Sequence, residues 1–188
     1  MGEDKRFLQI GDRSLFDRSL SALRSMFQNV VVVIAQDSPP LDTEVPVLRD
    51  LVPDCGSLGG LYTGLKRAET QYIFAVACDM PFLDPRTMAC FTDRRSDADI
   101  VIAKLAGQVH PMHAVYGRRC LPVLEAMVHA RDLKIQRILS DPSLRVRLIV
   151  EADLQNLDPE GRSFMNVNTL SDLESARSIR DRRPGNAS

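Results

Sequence analysis

YIFAVACDMPFLD, Tyr72 to Asp84, is the stretch on which the fold turns. Its first six residues are apolar or aromatic and lack polar alternation, the pattern of a strand whose two faces are both covered by helices in a parallel sheet. Pro81 stops it, and Asp79 falls just past the strand's carboxyl end. In open parallel sheets ligands sit outside the carboxyl ends of the strands, so this carboxylate is expected to project into a cleft. Such an acid is poised for Mg2+, which takes hard oxygen ligands, commonly one or two carboxylates plus substrate phosphates. Taken alone, Asp79 reads equally well as the cap of the helix that follows.

Upstream lies a second continuous β-branched run, VVVVIA at Val30 to Ala35. Before it, SLFDRSLSALRSMF places Leu15, Phe16, Leu20, Leu23, Met26 and Phe27 on one helical stripe, with Ser14 as N-cap. A short strand near Val45 to Leu48 and a helix from about Leu58 to Ala68 come next. Downstream, DIVIAK (Asp99 to Lys104) reads as a third strand, QVHPMHAVY as extended, LPVLEAMVHA as helical and VRLIV as extended. SDLESARS closes the pattern as a helix capped by Ser171, with Asp172 and Glu174 in its first turn. Strands alternating with amphipathic helices place the chain in the α/β class, as one domain over residues 1–179. Residues 180–188, polar and containing Pro and Gly, read as a frayed tail.

The charge balance, 24 basic against 25 acidic residues, creates no global field for nucleic acid or a membrane surface. The apolar runs are far shorter than the roughly 20 residues a spanning helix needs, and the N-terminus lacks the order of a signal peptide. The cytoplasm is therefore the expected compartment. Cys55, Cys78, Cys90 and Cys120 are widely spaced without a CxxC pair, so they read as buried small residues rather than as a zinc site or disulfide framework.

Three further features could carry chemistry. CGSLGGLYTGL sets Gly56, Gly59, Gly60 and Gly64 around the start of a helix, where a backbone without side chains can approach a ligand and offer N-terminal amides. In FMNVNTLSDLE, Asn166 and Asn168 stand two apart and share a face just before a helix, so their carbonyl oxygens could reach a metal or a hydroxyl. Turn formation explains such asparagines as well. His110-Pro111 and His113 lie in a strand-like stretch, where histidines are more often structural than catalytic.

In order and spacing, GEDK, LRD, CGSLGGLYTGL, CDMP, HPMHAVY and NVNTLSDLE resemble the molybdenum cofactor guanylyltransferases, over nearly the whole chain. The resemblance implies a Rossmann-like, mostly parallel three-layer sheet of the nucleotidyltransferase type. It implies transfer of GMP from GTP to molybdopterin, with pyrophosphate released and molybdopterin guanine dinucleotide formed. Lys5 then looks like the cation that neutralises phosphate charge, Asp79 the Mg2+ ligand, Asn168 a second ligand on the metal side, and Asp50, in VLRD, a residue of the guanine pocket. Gly59, Gly60 and Asn166 join the substrate site. His110, with Arg131, Lys134 and Arg137, would face the pterin, although for those three a solvated helix face is the simpler reading. Other cofactor-biosynthesis or molybdoenzyme-maturation proteins are conceivable partners. CDMP favours the guanylyl branch over the cytidylyl one. A cytidylyl- or sugar-phosphate nucleotidyltransferase, and a noncatalytic protein of the same fold, stay open as alternatives.

The family signature opens with a strand and glycine loop, approximately LAGGxSxRMGxDK, and Met1 to Lys5 match only its last five positions. The strand and loop are thus expected to be missing from this chain. In the family's strand order that strand would lie between VVVVIA and YIFAVA. Without it, the two strands are expected either to pair directly or to leave open edges that make the chain marginal in stability and prone to association, with weak GTP binding and undetectable transfer.

Overall fold

The computed structural model describes residues 7–181; Lys5, with the rest of 1–6, and the tail from 182 onward lie outside the described residues. Near the start of the described residues is a small antiparallel hairpin, β1 (Gln9–Ile10) and β2 (Arg13–Ser14), that runs directly into α1 (Leu15–Arg24). Ser14 caps α1, its hydroxyl accepting the Asp17 amide at 3.0 Å. β3 (Val32–Ile34) then pairs in parallel with β4 (Val47–Arg49), Val33 opposite Leu48. After α2 (Gly56–Arg67) come β5 (Tyr72–Val76), α3 (Pro85–Thr92), β6 (Ile100–Leu105), β7 (Gln108–Gly117) and α4 (Leu121–His129). β8 (Val146–Ile149), a one-turn α5 (Glu151–Leu154) and α6 (Leu170–Asp181) follow within the described residues.

A four-stranded sheet has the order β5-β7-β6-β8. β7 is antiparallel to both β5 and β6, and β8 is parallel to β6, so β5, β6 and β8 share one direction and β7 alone is reversed. With the parallel pair β3–β4, this is the mostly parallel α/β architecture expected from the unalternating strands. β6 shows why the alternation is lacking: Ile100, Val101, Ile102 and Ala103 are all fully buried. Ile100 and Ile102 pack with Leu58, Leu61 and Leu65 of α2 and with Leu124 and Val128 of α4. Val101 and Ala103 pack on the opposite face with Cys90 and Phe91 of α3, and with Phe164. Three layers follow from two-residue periodicity applied to a strand apolar on both sides.

Two expectations are corrected. VVVVIA reads as fully buried, yet Val31 is 46 % exposed and Val32 and Val33 are half-buried. β3 and β5 do not pair with each other, so the two sheets stay separate and direct closure does not occur. Helices hold the walls apart. Phe27, just beyond α1, stacks on Phe74 of β5 at 5.7 Å, and a Cβ on Gly64 of α2 would touch Val33 at 3.8 Å and Ile73 at 3.9 Å.

The cap of α6 is the second correction. Thr169, not Ser171, starts the helix: its hydroxyl accepts the Asp172 amide at 3.1 Å, and the Asp172 carboxylate accepts the Thr169 amide at 2.8 Å. This reciprocal capping box uses the threonine because an acid stands three residues after it. α6 also runs to Asp181, two residues into the stretch read as tail. Thr169→Ala is expected to cost about 1 kcal/mol in urea unfolding, against about 0.5 or less for Ser171→Ala.

Candidate functional site

Asp79 stands where β5 ends. The Ala77 amide still bonds the Met112 carbonyl of β7 at 3.2 Å, and the chain leaves the sheet with Cys78 and Asp79. The cap of α3 is a different acid, Asp84, whose carboxylate accepts the Arg86 amide at 2.8 Å and pairs with its guanidinium at 2.8 Å. Those bonds from Arg86 hold the Asp84 carboxyl below its usual range. The capping explanation therefore does not apply to Asp79.

The Asp79 carbonyl accepts the Val167 amide at 2.9 Å, which fastens the asparagine segment to the strand end. Val167 is buried, and Asn166 and Asn168 on either side of it are exposed. Among the described residues no three His, Cys, Asp or Glu side chains gather closely enough to hold a metal by themselves. The Asp79 carboxylate and the Asn168 amide oxygen are hard donors of the type Mg2+ accepts, and a site built from them needs substrate oxygens to complete it.

Asp50 follows β4 and is only 8 % exposed. Its amide bonds the Ile34 carbonyl at 2.9 Å, and its carbonyl accepts the Gln36 side-chain amide at 2.8 Å, so the ends of β3 and β4 are locked together. The carboxylate lies against the first turn of α2. A Cβ on Gly59 would sit 3.3 Å from Asp50 Oδ2 and 3.0 Å from Cys55 Cβ, which is why that position is glycine. Burial raises the Asp50 pKa, opposed by a hydrogen bond from the Thr63 hydroxyl. Oδ1 is buried with no hydrogen-bond partner. Cys55, at the N-cap of α2, makes no side-chain capping bond, so the helix's first amides are not covered by a side chain at that position.

The histidines sit in a bulge of β7. Ile102 of β6 pairs with Ala114 and Lys104 with Val109, so residues 110–113 face the single residue Ala103. Pro111, which has no amide to donate, is tolerated where the ladder is already broken. The bulge puts His110 and His113 on the same face, at 5.1 Å and 4.4 Å from the Phe164 ring. His110 is half-buried, and burial lowers its pKa. His113 is fully buried among Phe74, Phe91 and Phe164, neither ring nitrogen has a hydrogen-bond partner, and burial pushes its pKa down to about 3. It is a core histidine, neutral in the fold.

That depression has a sign. Below the unfolded value near 6.5 the unfolded chain binds a proton that the folded chain refuses, so stability drops as pH falls from about 6.5 toward about 3. The slope is expected to be roughly 1.4 kcal/mol per pH unit. Urea unfolding at pH 7 and pH 5 measures it. His113→Leu is expected to remove most of the slope, with His110 supplying a smaller remainder; an unchanged slope contradicts the assignment.

One groove runs between β3 and β5 and ends at these residues: Asp50, Gly56, Ser57, Gly60, Cys78 and Asp79 line it. Asp50, Gly60 and Asp79 thus line one groove, Gly59 packs against Asp50, and the Asn166–Asn168 segment joins through the backbone of Asp79. His110 is placed to one side, against Phe164, and is not in the groove wall. Gln36 also lines the groove and is absent from the sequence reading. Its position immediately after VVVVIA is the signal that could have found it, by the strand-end rule that found Asp79. Cys78 corrects the reading of four buried cysteines, since it is exposed at the strand end while Cys55, Cys90 and Cys120 are buried. Arg131 does not lie on a helix face but in the loop after α4, bonded to the Pro53 carbonyl at 2.7 Å, and Arg137 pairs with Asp132 at 2.8 Å.

The family model for the MobA-like NTP transferase domain matches residues 1–147. The chain is 34% identical to the molybdenum cofactor guanylyltransferase of Desulfosudis oleivorans, over 93% of this chain and 86% of that protein. It is 31% identical to the molybdenum cofactor guanylyltransferase of Syntrophotalea carbinolica, over 94% of this chain and 84% of that protein. Among solved structures, molybdopterin-guanine dinucleotide biosynthesis protein A from Archaeoglobus fulgidus shares the fold with a TM-score of 0.81 at 24% identity, over 97% of this chain and 93% of that chain. The Rv0371c protein of Mycobacterium tuberculosis H37Rv, solved in complex with manganese, shares it with a TM-score of 0.68 at 18% identity, over 93% and 91%. A carboxylate at the end of β5, a second buried against a glycine-rich helix start, and these likenesses lead to one conclusion: the chain belongs to the family of MobA-like NTP transferases.

Proposed function

We propose that the chain transfers GMP from GTP to molybdopterin, giving molybdopterin guanine dinucleotide and pyrophosphate, in place of the undetectable transfer expected from the partial signature match; its likeness to a guanylyltransferase over 93% of this chain supports the active reading. The observation that carries the base assignment is Asp50 Oδ1, a buried acceptor without a partner in the groove that also holds Asp79. Guanine offers N1 and N2 donors to such an oxygen, and a pocket built to receive hydrogen bonds rejects a base that cannot make them. Gly59 and Gly60 let the start of α2 close on the nucleotide, whose phosphates can take the helix's first amides.

A phosphate oxygen of molybdopterin attacks the α-phosphorus in line, the bond to the β-phosphate oxygen breaks, and pyrophosphate leaves with the electron pair. No covalent enzyme intermediate is required, so positioning and charge neutralisation dominate. Asp79, with Asn168 beside it, would hold Mg2+, which when bound offsets phosphate charge. Lys5 is assigned a similar role by resemblance. Asn166 is assigned to the substrate site, supported by the anchoring of residues 166–168 to Asp79, and His110 to the pterin, supported by its packing on Phe164, two residues before Asn166. Partners in cofactor delivery and the cytoplasm as compartment belong to the same reading; among the described residues no helix is long and apolar enough to cross a membrane.

Label tracing tests the reaction type. With GTP labelled at the α-phosphorus, the label is expected in the dinucleotide; labelled at the γ-phosphorus, in pyrophosphate. Label from the γ position in a phosphorylated pterin would overturn the reading.

A further inference from the structure

β3 and β4 end side by side, and the turn after β3 is built around one side chain. Arg49, the last residue of β4, sends Nη1 to the carbonyls of Gln36 at 2.6 Å, Ser38 at 2.9 Å and Ala35 at 3.3 Å. The Ser38 amide closes the turn on the Ala35 carbonyl at 3.2 Å. A charged donor shared among three carbonyls holds the backbone of Gln36 at the strand end. The Gln36 side chain is then set by Asp50, because its Nε2 donates to the Asp50 carbonyl at 2.8 Å. A carbonyl can only accept, so the nitrogen end of the amide must face it, and the half-turn freedom of a glutamine is lost. An amide nitrogen carries two hydrogens and the Asp50 carbonyl takes one, which leaves a second donor on a residue that lines the groove.

Asp50 supplies the matching acceptor. Its Oδ1 is buried without a partner, and a Cβ on Gly60, another groove residue, would sit 4.0 Å from it. A donor pinned to the backbone of Asp50 thus accompanies an acceptor on its side chain. The pairing edge of guanine runs acceptor, donor, donor, as O6, N1–H and N2–H. Adenine and cytosine carry an amino group where guanine has O6, and a bare ring nitrogen where it has N1–H. A carboxylate alone accepts from any of these amino groups. The fixed donor is what opposes the wrong ones.

We propose that Gln36 determines base specificity by reading the 6-oxo group of guanine, its second Nε2 hydrogen donating to O6 while Asp50 Oδ1 accepts from the N1 and N2 side. The inference rests on the guanylyl reading above and adds the donor that the carboxylate cannot supply. Its physical basis is the lock between the two residues. A free glutamine offers either end of its amide and so tolerates an oxo or an amino group, whereas one held by the Asp50 carbonyl offers only hydrogen.

Calorimetric titration of the purified chain with Mg2+ and GTP, inosine triphosphate or 6-thio-GTP at pH 7 tests this without requiring turnover. Inosine keeps O6 and N1–H and lacks the N2 amino group. Thioguanine keeps N1–H and the N2 amino group and has sulfur, a much weaker acceptor, in place of O6. Gln36→Leu is expected to weaken GTP and inosine triphosphate each by about tenfold, the scale of one neutral hydrogen bond, and 6-thio-GTP by no more than about twofold. Equal losses for all three nucleotides would make Gln36 structural, and an unchanged GTP affinity would remove it from the site. Either result overturns the inference, and the guanylyl reading then still stands if the parent chain prefers GTP to ATP. A parent chain that binds no nucleotide, or binds GTP and ATP equally, overturns that reading and the inference with it.

Discussion

Asp79→Ala is expected to lower guanylyl transfer by about 10^3 or more while leaving the fold intact, on the scale of losing an electrostatic anchor of the reacting phosphates. The geometry separates the two effects. The Asp79 carbonyl holds Val167 at 2.9 Å, and the substitution keeps that bond. The helix that follows is capped by Asp84, so removing the Asp79 carboxylate does not uncap it. Thermal unfolding should therefore stay near that of the parent chain, and extra Mg2+ should not restore turnover. Near-normal turnover at saturating Mg2+ would remove Asp79 from the mechanism.

Asp50→Asn should act on selection rather than on chemistry. The ratio of kcat/KM for GTP over ATP is expected to fall about 10^2, the scale at which a buried polar group discriminates between partners. The sign of the stability change distinguishes this from damage. The folded pKa of Asp50 is raised by burial, so the unfolded chain ionises more readily, and stability is lost as pH rises from about 4 through the folded value. At pH 7 the charged side chain is a liability to the free protein, and asparagine should leave Tm unchanged or higher. A variant with lower Tm and an unaltered GTP preference would mark Asp50 as structural only.

Much of this was legible because the strands are unusually plain. IVIA carries no polar alternation, and burial on both faces is what that means physically, as β6 shows residue by residue. The same rule overstated the cover of YIFAVA and VVVVIA, since Ala75 is the one buried residue of β5, Ile34 the one of β3, and Val31 is 46 % exposed; among the described residues each strand pairs along one edge. Side-chain pattern reports faces, not edges. Asp79 was found by its place after a strand, and Gln36, in the same place after β3, was not, because an amide carries less chemical signal than a carboxylate. The bulge at residues 110–113 depends on register between two strands, which no single stretch encodes. Thr169 and Ser171 are both good caps; the choice fell to the one with Asp172 three residues on.

The central claim is that Asp50 and Asp79 form one guanylyl-transfer site. Its most direct test offers the purified chain molybdopterin, Mg2+ and an equimolar mixture of GTP, ATP, CTP and UTP, with dinucleotide products identified by mass and pyrophosphate quantified. The account predicts molybdopterin guanine dinucleotide as the dominant product, with one pyrophosphate for each. A cytosine or adenine dinucleotide in equal or greater amount would contradict it.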